Sequence, residues 1–207
     1  MTKLYNLLFV VVALSVAASV SAQTVAVKAE APVAERPVLN VGDRWGYDFN
    51  GGNPYDLTVL SVDADGKSTS VWKNRSLFGS SGKSIRDKNL NQVGSTGIAY
   101  PAFDFPLFVG KKDQVNYDVK KDGITWHNVL TREVVGFEKR TVPAGRFDTF
   151  RMVVVRKYSN ESNSDGGTET DTYWYAPAVR NFVERQTTNT ETNQPVVRKL
   201  LNYTLAE

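Results

Sequence analysis

Apolar and polar residues alternate along much of this chain, and the alternation predicts β-strands. Trp45 and Tyr47 alternate with polar residues or glycine, and Val115, Tyr117 and Val119 alternate with polar residues. Side chains two residues apart lie on the same face of a strand, so each of these sets is expected to occupy one face. Long helical periodicity is missing after the N-terminal segment. The pattern therefore predicts an all-β chain, or β with minor α.

Turn signals separate the predicted strands. Asp63-Ala64-Asp65-Gly66 separates one pair of apolar runs, and Lys121-Asp122-Gly123 separates another, with Asp-Gly typical of a type I′ hairpin turn. Hairpin-linked strands favour a single antiparallel curved sheet, in the form of a half-barrel or a sandwich. Residues 78–105 are rich in Ser, Gly and Asn. They are predicted to form a long loop with short strands.

Two of the later runs predict which side chains share a face. The expected sets are Phe150, Met152 and Val154 in one strand, and Val197, Leu201, Tyr203 and Leu205 in the last strand. A weak internal echo also relates residues 37–42 to 106–110, because both run from Pro through apolar residues to Val-Gly and then into a strand. The pattern predicts a tight turn at each Gly. Duplication and coincidence both stay open.

The N-terminus carries the features of a secretory signal peptide. Lys3 supplies a positive charge, 7–18 form an apolar run, and Val20-Ser21-Ala22 offers small residues before a cleavage site at Ala22/Gln23. The apolar run is well short of the roughly 20 residues that a spanning helix needs. We therefore expect residues 1–22 to be a signal peptide and the mature protein to be periplasmic or secreted.

The mature chain is predicted to begin with a tether. Residues 23–36 are rich in Ala, Val, Glu and Pro, and they lack aromatic residues. They are interpreted as a flexible tether, or at most a loosely added edge strand. Residues 37–207 are predicted to form a single β domain.

Composition excludes several classes of function and of covalent modification. The formal net charge is +3, and acids are interspersed among the basic residues, so nucleic-acid binding is not expected. The chain has no cysteine, which excludes disulfides and lipid attachment through a cysteine after the signal. A chain of this size buries roughly 70% of its unfolded surface, so a hydrophobic core alone can hold it.

The sequence predicts no catalytic residue, no metal site and no cofactor. His127 is the only histidine, and without partners it is interpreted as a strand histidine, half-buried or exposed. Gly82-Lys83-Ser84 lacks the first glycine of a phosphate-binding loop, because position 77 is leucine. Scattered carboxylates leave an acid-based hydrolase as the least favoured alternative, with no preferred pair.

The remaining signal is aromatic. In the predicted strand around 173–175, Tyr173 and Tyr175 face one way and Trp174 the other, so both sides need cover or one is a binding face. Packing in the core is the alternative for each ring. The candidate ligand-binding residues are Trp45, Tyr47, Trp72, Trp126, Tyr173 and Tyr175.

Three motifs carry a resemblance to a known group: Val-Gly-Asp-x-Trp-x-Tyr at 41–47, Val-Pro-Ala-Gly-x-Phe-Asp-Thr-Phe at 142–150, and Tyr-Trp-Tyr-Ala-Pro-x-Val at 173–179. Together they resemble secreted bacterial β-rich proteins of unknown function. The resemblance implies an exported envelope domain, similar in architecture to the half-barrels of outer-membrane lipoprotein carriers. It implies no functional residue. Arg180-Asn181 stands where the group has a glycine, so the turn there is expected to differ locally.

These observations lead to three functional hypotheses. The favoured one is a non-enzymatic exported envelope protein that binds an apolar ligand, either a lipid or a hydrophobic segment, on a curved sheet. The first alternative is a protein–protein interaction module of an envelope complex, in which a partner adds to a strand edge. The second is the carboxylate-based hydrolase.

Overall fold

The structure is a computed structural model that describes most of the chain after residue 30. The described ranges are 31–75, 79–161, 166–190 and 194–207. The predicted signal peptide and residues 23–30 of the predicted tether lie outside them. Ala31–Glu207 forms one compact unit, and the domain boundaries placed after residues 22 and 36 stay predictions.

Thirteen strands and one short 3-10 helix, Pro177–Val179, occupy the described residues. The strands are β1 (Val33–Ala34), β2 (Arg44–Phe49), β3 (Tyr55–Val62), β4 (Ser68–Asn74), β5 (Ser81–Arg86), β6 (Gln92–Val93), β7 (Leu107–Phe108), β8 (Lys112–Lys121), β9 (Ile124–Val142), β10 (Gly145–Asn160), β11 (Gly166–Ala176), β12 (Asn181–Asn189) and β13 (Val196–Thr204). The predicted all-β class is confirmed.

Eleven of these strands form a single antiparallel sheet in the order β6-β5-β4-β3-β2-β13-β12-β11-β10-β9-β8. The order describes two meanders, β2 to β6 and β8 to β13, which are joined where β2 pairs with β13. β6 and β8 are the sheet's two edges, so the sheet is not closed. β1 and β7 form a separate two-stranded sheet, so residues 33–34 of the predicted tether are paired in the structure.

The large sheet curls strongly. Nine strand spacings of about 4.8 Å would separate β5 from β8 by about 43 Å in a flat sheet. Side chains from both strands nevertheless line one cavity of about 390 Å³. The predicted single curved sheet, in its open half-barrel form, therefore describes this protein.

A long connection covers the concave face. Residues 87–106 contain β6 and turns, as predicted for the Ser/Gly/Asn-rich segment. The Asn91 side chain accepts a hydrogen bond from the Phe103 N–H at 2.7 Å and donates one to the Phe103 carbonyl at 3.0 Å. Arg132 also donates to the carbonyl of Phe103 at 3.2 Å, and the Phe103 ring lies 4.9 Å from that of Tyr173. The connection is thereby fixed to the interior of the sheet.

The predicted turns have the expected backbone. Asp122 and Gly123 both have positive φ, at 51° and 79°, as a type I′ turn requires. Gly42 and Gly110 have φ of 97° and 90°. Each donates its N–H to a carbonyl of a neighbouring strand, Val59 or Val134, at 3.0 and 2.8 Å. The two Val-Gly segments thus form the same kind of turn.

Arg180, which stands at the position of the expected glycine, adopts a left-handed conformation. Its φ is 56°, a conformation that costs a residue with a Cβ roughly 1–2 kcal/mol. The Arg180 guanidinium lies 3.2 Å from the carboxylate of Asp43, which is fully buried. This ion pair holds the arginine in place and offsets the strain.

Alternation predicted the core face of β10 and failed for β13. Phe150, Met152 and Val154 are all buried, as expected. In β13 a bulge between Leu200 and Asn202 interrupts the register with β2. Leu200, which the alternation assigned to the other face, is fully buried, whereas Tyr203 is 38% exposed. The predicted common face of the last strand is therefore wrong, because a bulge resets the alternation.

Candidate functional site

Aromatic rings form a continuous row across the interior of the sheet. Neighbouring centroids are separated by 5.6 Å for Tyr55–Tyr47, 4.9 Å for Tyr47–Phe182, 5.9 Å for Phe182–Tyr173 and 4.9 Å for Tyr173–Phe103. We call these five residues the aromatic floor. Spacings of 4.5–7 Å are those of favourable aromatic pairs. The floor therefore links β2 and β3 with β11, β12 and the covering connection.

Two adjoining cavities lie along this floor. The first, of about 390 Å³, lies beneath the connection 87–106 and is also lined by β8, β10, β11 and β12. The second, of about 430 Å³, is lined mainly by β3, β4, β5, β12 and β13. Arg86, Gln92, Phe182 and Arg185 line both cavities. Each volume lies within the range of about 300–1,000 Å³ found for small-molecule sites.

The six predicted aromatic residues are distributed unequally about these cavities. Tyr173 lines the first cavity and Trp72 lines the second. Trp45, Tyr47 and Tyr175 are at most 1% exposed and pack in the core. The remaining residue, Trp126, is half-buried beside Tyr158, with ring centroids 6.0 Å apart. The structure thus brings two of the six to a cavity wall, and their role in ligand binding stays a prediction.

Trp45 and Tyr47 fix the position of Phe182, which lines both cavities, and of the turn before it. The indole of Trp45 donates to the carbonyl of Val179 at 2.8 Å, and the hydroxyl of Tyr47 donates to the carbonyl of Phe182 at 2.7 Å. The first bond reaches the 3-10 helix and the second reaches the start of β12. These two residues therefore tie β2 to the segment that enters β12.

Trp72 reaches the second cavity because β5 has a glycine beside it. Gly82 pairs with Trp72 in the sheet. A Cβ at this position would lie 2.8–2.9 Å from three atoms of the indole. The absence of a side chain at Gly82 therefore lets the indole lie against the backbone of β5.

A fully buried carboxylate organises the first cavity. Asp171 accepts two hydrogen bonds from Arg185, at 3.0 and 2.8 Å. It also accepts bonds from the hydroxyls of Tyr100 at 3.0 Å, Tyr173 at 3.3 Å, and Thr187. Tyr100 belongs to the connection 87–106, so Asp171 ties this cover to the sheet. Its acceptor capacity is used by these protein donors.

The second cavity is strongly cationic. The described residues of its wall include Lys83, Arg86, Arg185 and Arg198 and no carboxylate. The whole chain carries a formal net charge of only +3, so positive charge is concentrated here. The same wall also contains apolar side chains, namely Phe49, Tyr55, Leu57, Trp72 and Phe182.

Two of these arginines have only neutral partners in the described part of the chain. Arg86 donates to Asn181 Oδ1 at 3.4 Å. Arg198 lies 5.0 Å from the centre of the Phe49 ring and interacts electrostatically with the side chain of Tyr55. Burial, and also repulsion from Arg185, lower the pKa of both guanidinium groups. Neither guanidinium group forms a salt bridge with a carboxylate of the described residues.

Donors without acceptors also occur in the first cavity. Asn181 is 1% exposed, and its Nδ2 has no hydrogen-bond partner among the described residues. The buried Nε of Arg156 is in the same state. Buried polar atoms are satisfied in most proteins, so each such atom needs an explanation. Both residues line the first cavity.

The geometry offers little for hydrolysis. Glu169 is the one carboxylate that lines the first cavity within the described chain, and it lies 3.4 Å from Arg156. His127 lies on β9, where it contacts Asp118 at 2.9 Å and Glu161 at 3.0 Å. Its side chain is 44% exposed, which confirms the prediction of a half-buried or exposed strand histidine.

No group of three or more His, Cys, Asp or Glu side chains among the described residues is arranged to hold a metal ion. No helix within the described ranges is both long and apolar enough to cross a membrane.

Sequence reasoning missed the cationic wall. Arg198 lies two residues from buried Leu200, so alternation places it on the interior face of β13. The sequence pattern assigned the interior face to Val197 and Leu201 instead, because it did not predict the bulge. Arg86 ends the strand Ser81–Arg86, which has no apolar alternation. Nothing local in that strand identifies Arg86 as an interior residue.

Neither a protein-family model nor a curated protein matches this chain, but solved structures do. A candidate lipoprotein from Parabacteroides distasonis superposes with a TM-score of 0.51 and 15% identity, covering 83% of this chain and 99% of that chain. A candidate exported protein from Bacteroides fragilis, with a YmcC-like fold, gives 0.48 and 14% over the same shares. The hypothetical lipoprotein YmcC from Escherichia coli gives 0.43 and 11%, covering 81% and 86%.

At these identities the similarity concerns the fold. The chain shares its open, curved β-sheet with the protein from Parabacteroides distasonis. The predicted resemblance to β-rich envelope proteins is thereby confirmed at the level of the fold.

Proposed function

We propose that this protein is a non-enzymatic, exported envelope protein that binds an acyl chain along the concave face of its sheet. The observation that carries this proposal is the aromatic floor between two adjoining cavities of about 390 and 430 Å³. Apolar walls with a few polar groups are typical of small-molecule sites. The ligand would lie against Trp72, Phe182 and Tyr173.

Export is supported by the N-terminal sequence and by the fold. Residues 1–22 have the pattern of a cleaved signal, and the structural neighbours are described as candidate exported proteins or lipoproteins. N-terminal sequencing of the protein purified from the envelope fraction should begin at Gln23. Recovery of the protein only from the cytoplasm, with Met1 retained, would contradict export.

The charge on the edge strand supports ligand binding over the alternative of strand addition. β8 forms one edge of the sheet and carries Lys112, Lys120 and Lys121. Lysines on an edge strand disfavour pairing with another chain. The opposite edge, β6, contains only two residues. Neither edge favours a partner that extends the sheet.

An acyl chain alone would bind weakly. Each buried methylene contributes about 0.8 kcal/mol, so about ten would contribute about 8 kcal/mol. Association costs at least about 4 kcal/mol in lost motion. The remaining 4 kcal/mol corresponds to a dissociation constant of about 1 mM. Tighter binding therefore requires a polar contribution from the cavity wall.

Tryptophan fluorescence tests the proposal. Laurate, added below its micellar concentration, should shift the emission of the protein because it contacts Trp72. Trp72→Phe should abolish this shift, while Trp126→Phe should preserve it, since Trp126 lines neither cavity. The proposal fails if laurate and its neutral glycerol ester, monolaurin, produce no shift, or if the shift survives in Trp72→Phe.

A further inference from the structure

Most half-buried arginines among the described residues are paired with a carboxylate. Eight described arginines are half-buried, and six of them form a salt bridge with a described carboxylate. The pairs are Arg132–Asp113, Arg140–Glu184, Arg151–Glu138, Arg156–Glu169, Arg180–Asp43 and Arg185–Asp171. The two exceptions are Arg86 and Arg198, and both line the second cavity.

Pairing is the expected state because a desolvated charge is costly. An unpaired ion loses its hydration on burial, and a neutral partner replaces only part of it. Arg86 has an amide oxygen at 3.4 Å as its partner, and Arg198 has the ring of Phe49, 5.0 Å from its guanidinium carbon. Two such exceptions in one cavity, on strands that are far apart in sequence, indicate a site for an anion.

Repulsion of Arg86 and Arg198 by Arg185 also supports an anion site. Arg185 lies close enough to both Arg86 and Arg198 to interact with each electrostatically. Asp171 pairs with Arg185 and also attracts Arg198, but its oxygens accept hydrogen bonds from Arg185, Tyr100, Tyr173 and Thr187 and from neither Arg86 nor Arg198. An anion placed between Arg86 and Arg198 would relieve this repulsion and accept their N–H groups.

From these contacts we infer that the second cavity binds the anionic head of an amphiphile, a carboxylate or phosphate monoester, through Arg86 and Arg198. This inference rests on the proposed binding of an acyl chain and names the chemical class of the ligand. Guanidinium groups match both anions because their N–H donors form a planar fork. The chain would follow the aromatic floor from Tyr55 past Phe182 towards the first cavity.

Matched amphiphiles test the inference by isothermal titration calorimetry. Laurate and dodecyl phosphate carry the anion, monolaurin is neutral, and dodecyltrimethylammonium is cationic. Charge-assisted hydrogen bonds are worth about 1.5–3 kcal/mol, or about a tenfold to hundredfold change in affinity. Laurate and dodecyl phosphate should therefore bind at least about tenfold more tightly than the neutral and cationic compounds.

Variants assign this preference to the two arginines. Arg86→Gln and Arg198→Gln should each weaken laurate binding about tenfold and leave monolaurin binding unchanged. Arg86→Lys and Arg198→Lys should restore part of the preference because they keep the charge. Lys73→Gln is the matched control, since Lys73 is exposed on β4 beside Trp72 and points away from the cavity. It should leave both affinities unchanged.

The outcomes separate the inference from the proposed function. Equal affinity for laurate and monolaurin, or equal losses of both in the glutamine variants, would overturn the inference and retain acyl-chain binding. Binding of orthophosphate as tight as that of dodecyl phosphate would retain the anion site and overturn the acyl chain. Failure of every amphiphile and of orthophosphate to bind would overturn both.

Discussion

Replacement of Asp171 by asparagine tests how far one buried charge holds the cavity together. Asp171 is fully buried and accepts two hydrogen bonds from Arg185, at 3.0 and 2.8 Å, and others from Tyr100, Tyr173 and Thr187. An amide keeps the shape but loses the charge, and its NH₂ group faces the donors of Arg185. The Arg185 guanidinium is then left without a counter-charge.

The expected loss is large. Breaking one side of a buried ion pair costs about 3–5 kcal/mol. For a domain of this size, each kcal/mol lowers the melting temperature by about 2–4 °C, so Asp171→Asn should lower it by about 6–20 °C. Differential scanning calorimetry and urea unfolding give the two readouts. Hydrogen exchange should also increase around Tyr100, because the covering connection loses its anchor.

Asp148→Asn provides the matched control. Asp148 pairs with Lys139 at 2.7 Å, and both side chains are 55% exposed. Exposed pairs contribute about 0–1 kcal/mol, so this variant should melt within about 4 °C of the parent protein. If Asp171→Asn destabilises the protein no more than Asp148→Asn does, the argument that burial makes this pair indispensable is wrong.

Two further predictions concern the second cavity and the exposed histidine. Gly82→Val should displace the Trp72 indole, alter the tryptophan emission spectrum and lower the free energy of unfolding in urea by about 1–3 kcal/mol. Gly136→Val is the control, because a Cβ there meets nothing within 4 Å, and it should change neither the spectrum nor the stability. An unchanged spectrum in Gly82→Val would refute this packing. Hydrogen bonding to Asp118 raises the pKa of His127 in the folded protein. The stabilisation by His127 should therefore be complete below the unfolded pKa of about 6.5 and be lost as the pH rises through the higher folded pKa. An NMR titration in which Asp118→Asn fails to lower the pKa of His127 would contradict the assignment.

Local sequence predicted the elements of this fold well where neighbouring residues determine the geometry. The alternation at Trp45 and Tyr47 and the Asp122-Gly123 turn both correspond to observed structure. β13 shows the limit of this reasoning. A bulge between Leu200 and Asn202 shifts the register, and the inward position passes to Leu200. The bulge depends on pairing with β2, more than 140 residues earlier, which alternation within β13 does not encode.

The aromatic candidates show the same division at the level of the site. Sequence identified Trp72 and Tyr173 as large rings in strands, and the fold brings both to cavity walls. It also identified Trp45 and Tyr47, which the fold buries completely. A strand pattern reports which side chains share a face, but burial depends on what lies across that face. Here the covering connection and the curl of the sheet decide it.

The sequence by itself determined the all-β class, the hairpin turns and a secretory N-terminal pattern, because each depends on residues that are close along the chain. Only the tertiary structure brought Arg86 at the end of β5, Arg185 in β12 and Arg198 in β13 to the wall of one cavity. In the sequence these are ordinary basic residues among interspersed acids. Curvature of the eleven-stranded sheet brings these residues to one concave wall. There Arg86 and Arg198 have no salt bridge to a described carboxylate, and a charge in that position is costly unless a ligand pairs with it.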